Sequence, residues 1–212
     1  MKKTLMQSRR LLTLASLTAA MSGSAMAEPK PTTVDYNIAD ASVSANPFLA
    51  NGVGVGKNVS IYWSAGTGPA QRNTVGIPSG TPERYIDPAL EEFTTSTTSI
   101  TEKQGLNNLM RIKENLESVG LTLEDVIFMR IYLEAPPGQT RADYAGWNNA
   151  YRKFFANINR QTGQVIPAYE PVVVPNERRP ARSNIQVATL PVQGWLVEIE
   201  VIAAYPEKSK GK

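Results

Sequence analysis

The sequence predicts an α+β domain, a mainly antiparallel sheet with two helices on one face. Two stretches repeat apolar residues at helical spacing: Leu106, Leu109, Ile112, Leu116 and Val119, then Tyr144, Trp147, Tyr151, Phe154 and Phe155. Between them, Val126 to Leu133 is rich in β-branched and aromatic residues, as strands are. Beyond them the chain alternates. Ile185, Val187, Val197, Ile199 and Val201 share one parity, while Arg182, Asn184, Gln186, Glu198 and Glu200 share the other.

In chain order, Met1 to Ala27 has a basic start (Lys2, Lys3, Arg9, Arg10), an apolar middle and the small-residue site Ala25-Met26-Ala27, which predicts a signal peptide cleaved before Glu28. The middle is too short and too broken by Ser and Thr to hold a membrane span, so the mature chain is expected to be periplasmic or secreted, without a membrane anchor. Ser8-Arg9-Arg10 leaves the general and twin-arginine routes both open. Residues 28–57 read as an N-terminal lead-in that can pair late as an edge strand. Within it, Gly52 to Gly56 and Lys57 suggest a phosphate loop. Asn51 and Asn58 stand where that motif needs Gly and a hydroxyl, so the glycines are read as a tight turn before a strand at 59–64.

The main domain is expected over 58–206, with insertions near 67–98 and 161–179 and a basic tail at 207–212. The first insertion shows no sustained period and reads as a long connection with a short strand near Arg84-Tyr85. Ser99-x-x-Glu102 is a capping box, and Gly120 is the expected stop of the first helix. Thr122 to Asp125 turns into the strand 126–133. Thr140-x-x-Asp143 is placed to cap the second helix, whose aromatic stripe reads as core. The second insertion abuts the last strands, where it either shapes access to a site or rides passively on the surface. Pro191 and Gly194 supply turn chemistry, so 182–187 and 197–201 read as an antiparallel hairpin with its apolar face on the helices.

Composition narrows the chemistry. The chain has 22 Lys and Arg against 19 Asp and Glu, but four cations and no acid leave with residues 1–27. The mature chain is therefore near neutral, with no electrostatic footprint for nucleic acid. With no histidine and no cysteine, it has neither a His-dependent triad, a thiolate nucleophile nor a His- or Cys-bearing metal site. Carboxylate, guanidinium, hydroxyl and amide groups remain.

Pro180-Ala181-Arg182-Ser183, with Ile185, Ala188 and Leu190, and then Val197-Glu198-Ile199, resembles the signature of the Rid family, the RidA/YjgF-like reactive intermediate deaminases also labelled endoribonuclease L-PSP. Leu106-Asn107-Asn108-Leu109, Gly120 to Val126, Ile131-Tyr132-Leu133 and Asn148-Asn149-Ala150-Tyr151 follow that family's order. The resemblance runs from about Asn58 to Tyr205. It implies a chorismate-mutase-like fold, a homotrimer with clefts between subunits, and hydrolysis of enamines or 2-imino acids to keto acid and ammonia without cofactor or metal.

Carried over, Arg182 binds the substrate carboxylate, Glu198 positions the attacking water and Asn148 matches the asparagine of an Asn-x-x-Tyr element. Ser183, Asn184 and Phe48 complete the expected pocket. Asn184 stands where the best-known deaminases have cysteine, and Phe48 stands near a position that carries a hydroxyl in them, which alters the pocket. The alternatives are a binding protein that holds a small carboxylate without turnover and a chaperone-like oligomer. In a regular hairpin turning near Gln193, Arg182 and Glu198 sit roughly 20 Å apart along the strands. The expected site therefore joins two subunits, or the hairpin bends strongly.

Overall fold

Ser99 opens the long helix by accepting a bond from the Glu102 amide at 3.1 Å, one half of the expected capping box. In the computed structural model, which describes residues 28–207, that helix is α1 (Ile100–Ser118). The expected signal peptide and all but the first residue of the expected basic tail lie outside the described residues. Leu106, Leu109, Ile112 and Leu116 are fully buried, and Gly120, at φ 76°, takes the left-handed conformation that ends the helix. The second helix, α2 (Tyr144–Arg152), is capped by Asp143 and not by Thr140. Trp147, Tyr151, Phe154 and Phe155 are buried, so the aromatic stripe is core. At the helix crossing, a Cβ on Gly105 would lie 2.8 Å from that of Ala150, which is why glycine sits there.

The strands are β1 (Val34–Asn37), β2 (Gly52–Val55), β3 (Ile61–Trp63), β4 (Val126–Leu133), β5 (Ala181–Gln186) and β6 (Val197–Ala204). The main sheet has the order β3-β6-β4-β5. β6 runs antiparallel to both neighbours and β5 runs parallel to β4. Met129, Ile131 and Leu133 of β4 and Val197, Ile199 and Val201 of β6 face the helices and form the core with them. This is the predicted α+β class, with two helices on one face of a mainly antiparallel sheet.

The final hairpin does not form. β4 lies between β5 and β6, because the connection 187–196 is long enough to step over it: the Val187 amide donates to Leu133 O, and the Glu134 amide donates to Leu196 O. The most apolar strand thereby gains a partner on each edge, and β4-α2-β5 becomes a parallel crossover. Pro191 and Gly194 turn a loop and not a two-strand ribbon.

The first 30 described residues also differ from expectation. β1 and β2 pair with each other in a separate two-stranded sheet, so the glycine-rich stretch is strand, and the lead-in does not join the main sheet. Around Arg84-Tyr85 there is no strand. Short 3-10 turns occupy Pro82–Tyr85 and Pro88–Phe93, and buried amides of α1 pin them: Asn107 donates to Ala70 O and Tyr85 O, and Gln104 to Pro82 O. The 161–179 loop is likewise tied down, through the Val173 amide to Lys153 O and Asn157 to Val174 O.

Candidate functional site

Arg182 opposes Met129 in the β4-β5 register, so its side chain leaves the sheet on the helix side. There it donates from Nη2 to Asn148 Oδ1 and stacks on two rings, with its guanidinium carbon 4.2 Å from the Tyr151 centroid and 4.9 Å from that of Phe48. Its Nη1 is buried without a protein partner among the described residues. Burial lowers the Arg182 pKa from the ordinary guanidinium value to about 10, with Tyr151 acting the other way and the nearby Arg152 adding to the lowering. The group remains a cation at neutral pH.

Phe48 is held over Arg182 through its backbone. The Tyr151 hydroxyl donates to Phe48 O at 2.7 Å, and Arg179, only 2% exposed, donates to Pro47 O at 2.8 Å. Arg152 lies 5.4 Å from the same Phe48 ring. None of Arg152, Arg179 and Arg182 forms an ion pair among the described residues. The result is a cationic, aromatic-walled recess suited to a planar anion such as a carboxylate.

The structure brings together Arg182, Asn148 and Phe48. Asn184, next on the same face of β5, accepts from Trp147 Nε1 at 3.1 Å. Ser183 and Glu198 are not there. Ser183 opposes Arg130 and Glu198 opposes Tyr132, which places both on the face away from the helices. The shared parity of Arg182 and Glu198 thus does not become a shared face. β5 and β6 flank β4 with opposite alternation, since Arg182, Asn184 and Gln186 meet polar groups of α2 and its approach while the apolar residues of β6 take the core. Gln186, for example, accepts from the Ala142 amide at 2.9 Å and donates to Thr140 O.

On the far face, Glu198 sits beside Gly66, where a Cβ would collide with its carboxylate. Burial raises its pKa, and the neighbouring Glu200 adds to the rise. Glu200 itself pairs with Arg130 at 3.0 Å. Sequence reading missed Tyr151, Arg152 and Arg179 as parts of the recess. Asn148, Tyr151 and Arg152 stand at i, i+3 and i+4 on α2, a helical face, but the aromatic stripe claimed Tyr151 for the core, and it serves both.

TdcF of E. coli, whose structure is described with bound serine, is 20% identical, with 69% of this chain and 81% of that one covered and a TM-score of 0.40. A Rid-family protein of Yersinia pestis is 19% identical over 81% of this chain and 98% of its own, with a TM-score of 0.48. A YjgF/YER057c/UK114-family member from Mycobacterium tuberculosis is 20% identical over 82% and 100%, with a TM-score of 0.39. No curated protein matches the chain. The family described as Endoribonuclease L-PSP matches residues 87–205, which include α1, α2, β4, β5, β6 and, of the Arg182 recess, every named residue but Pro47 and Phe48, and the chain therefore belongs to this Rid/YjgF family.

Proposed function

We propose that the protein hydrolyses reactive enamines or 2-imino acids to keto acid and ammonia, in clefts between the subunits of a homotrimer, after export. The observation that carries this reading is the Arg182 guanidinium, a buried cation with one donor bonded to Asn148, another without a partner and no carboxylate opposite it. A substrate carboxylate supplies the missing acceptor. In this reading Asn148 fixes the guanidinium, and Phe48 and Tyr151 hold its plane.

Hydrolysis of C=N needs a water delivered to the imine carbon and a group that takes and returns its proton. Glu198, whose burial pushes its carboxyl toward the pH at which it can do both, suits that role. Within one chain Glu198 lies on the opposite sheet face from Arg182. A site that uses both residues draws them from two chains, in keeping with clefts between subunits.

Carboxylate binding without turnover is the second reading, favoured by the lack of any acid in the Arg182 recess itself. Ammonia release from freshly generated imino acids, measured beside an Arg182→Ala control, separates the two. The deaminase reading expects acceleration over spontaneous hydrolysis that the substitution removes. Carboxylate binding with no acceleration in a folded oligomer would transfer the assignment to the second reading.

A further inference from the structure

The two long connections, 67–98 and 161–179, meet over the ends of the helices. Between them and the helices lies a cavity of about 270 Å³, at the small end of ligand pockets. Its helix wall is Glu102 from the first turn of α1 with Asn149, Arg152 and Lys153 from the end of α2. The first connection contributes Thr95, Thr97 and Thr98, and the second contributes Tyr169.

Glu102 is the unusual member. It is only 7% exposed, yet its carboxylate accepts a single side-chain bond, from Asn149 Nδ2 at 3.1 Å, and forms no ion pair among the described residues. Its capping-box role toward Ser99 is not taken up, and the side chain turns instead to the cavity. The charges of Lys153 and Lys103 favour its ionised form from nearby, but neither cation is within ion-pair distance of it. Across the cavity, Lys153 donates to Tyr169 O at 3.0 Å, leaving further ammonium protons for another acceptor. Arg152 donates to Ala156 O and stacks on Tyr169 at 4.6 Å, and it too has no carboxylate partner among the described residues.

We propose that this cavity is a second ligand site, taking a small zwitterion of the free α-amino acid class, with its ammonium on Glu102 and its carboxylate on Lys153 and Arg152. A dianion would meet Glu102 at close range, and an uncharged ligand would give neither Glu102 nor the two cations an ion-pair partner. The volume matches a ligand of a few non-hydrogen atoms. The threonine hydroxyls offer polar contacts to a short side chain. Burial raises the Glu102 pKa and lowers that of Lys153, so each group gains from an opposite charge brought in by the ligand. The site is separate from the Arg182 recess but shares a wall with it, because Arg152 also lies against Phe48.

The inference does not depend on turnover, and its test uses none. Glycine, acetate and methylammonium are titrated calorimetrically into the Arg182→Ala protein, which removes carboxylate binding at the recess. Glycine is expected to bind, with acetate and methylammonium each weaker by about tenfold or more, and Glu102→Gln to weaken glycine to the level of acetate, the loss typical of a charge-assisted bond. The Gln side chain keeps the Asn149 bond. If that variant does not fold, Lys153→Gln, altering a half-buried position, is expected to weaken glycine and acetate alike. Absence of glycine binding once Arg182 is removed, acetate binding as tight as glycine, or glycine affinity unmoved by the substitutions would each overturn the site.

Discussion

A guanidinium held between two aromatic rings away from bulk water is bought at the expense of stability, and the direction of the Arg182 pKa states this. Its folded value, about 10, lies below that of an arginine in the unfolded chain, so between these values the unfolded chain holds more protons and stability rises with pH. Below about 10 the cost of burying the charge is present in full. Arg182→Met keeps an apolar stem against Tyr151 and Phe48 and removes the charge, so thermal unfolding at neutral pH is expected to stay level or rise by roughly a few degrees while carboxylate binding is lost. A fall in the midpoint would mean that the Asn148 bond and ring contacts outweigh the burial of charge. For Glu198 the shift is upward, through burial first and Glu200 second. In the proposed role of proton acceptor it must be ionised, so activity is expected to fall as pH drops through a value above the usual glutamate range. The acidic limb of kcat/KM should be missing in Glu198→Gln.

At the scale of elements, Gly105 sets how closely α1 and α2 approach. A methyl group there has no free volume to enter, so Gly105→Ala is expected to destabilise by about 1–3 kcal/mol in denaturant unfolding, although alanine is the better helix former. The helices and β4 were legible because their periods are internal: Leu106, Leu109, Ile112 and Leu116 repeat on one face whatever they pack against. β5 was not. Its alternation is real, but a period of two says only that faces alternate, and which face meets the helices depends on the partner strand. Arg182 and Asn184 point to α2 because Asn148 and Trp147 meet them there, facts of tertiary structure separated by more than 30 positions in the chain. The glycine-rich stretch misled for a related reason, since Val53 and Val55 alternate with glycines and pair with β1 only once that partner is known.

At the scale of the whole molecule, the sheet's second face is the unfinished part. Trp63, 69% exposed, and Ile185, 40% exposed, share it with Glu198, opposite the helices. Apolar surface of this kind beside a partly buried acid is what a subunit interface covers. The resemblance of the Pro180 to Ser183 segment to the Rid signature identified Arg182 from sequence. The expectation that two chains meet at the site rested on the Rid resemblance and on the spacing of a hairpin that does not form; the proposed two-chain site rests instead on that resemblance and on the opposed faces of Arg182 and Glu198.

Subunit complementation asks whether one site is built by two chains. Arg182→Ala and Glu198→Gln chains, each strongly impaired alone, are unfolded together, refolded as mixed oligomers, and assayed for ammonia release from a 2-imino acid. If each site takes its arginine from one subunit and its glutamate from the next, random mixing restores roughly a quarter of the wild-type sites. Mixed oligomers no more active than the separate variants, when wild-type chains carried through the same refolding are active, would contradict the shared site.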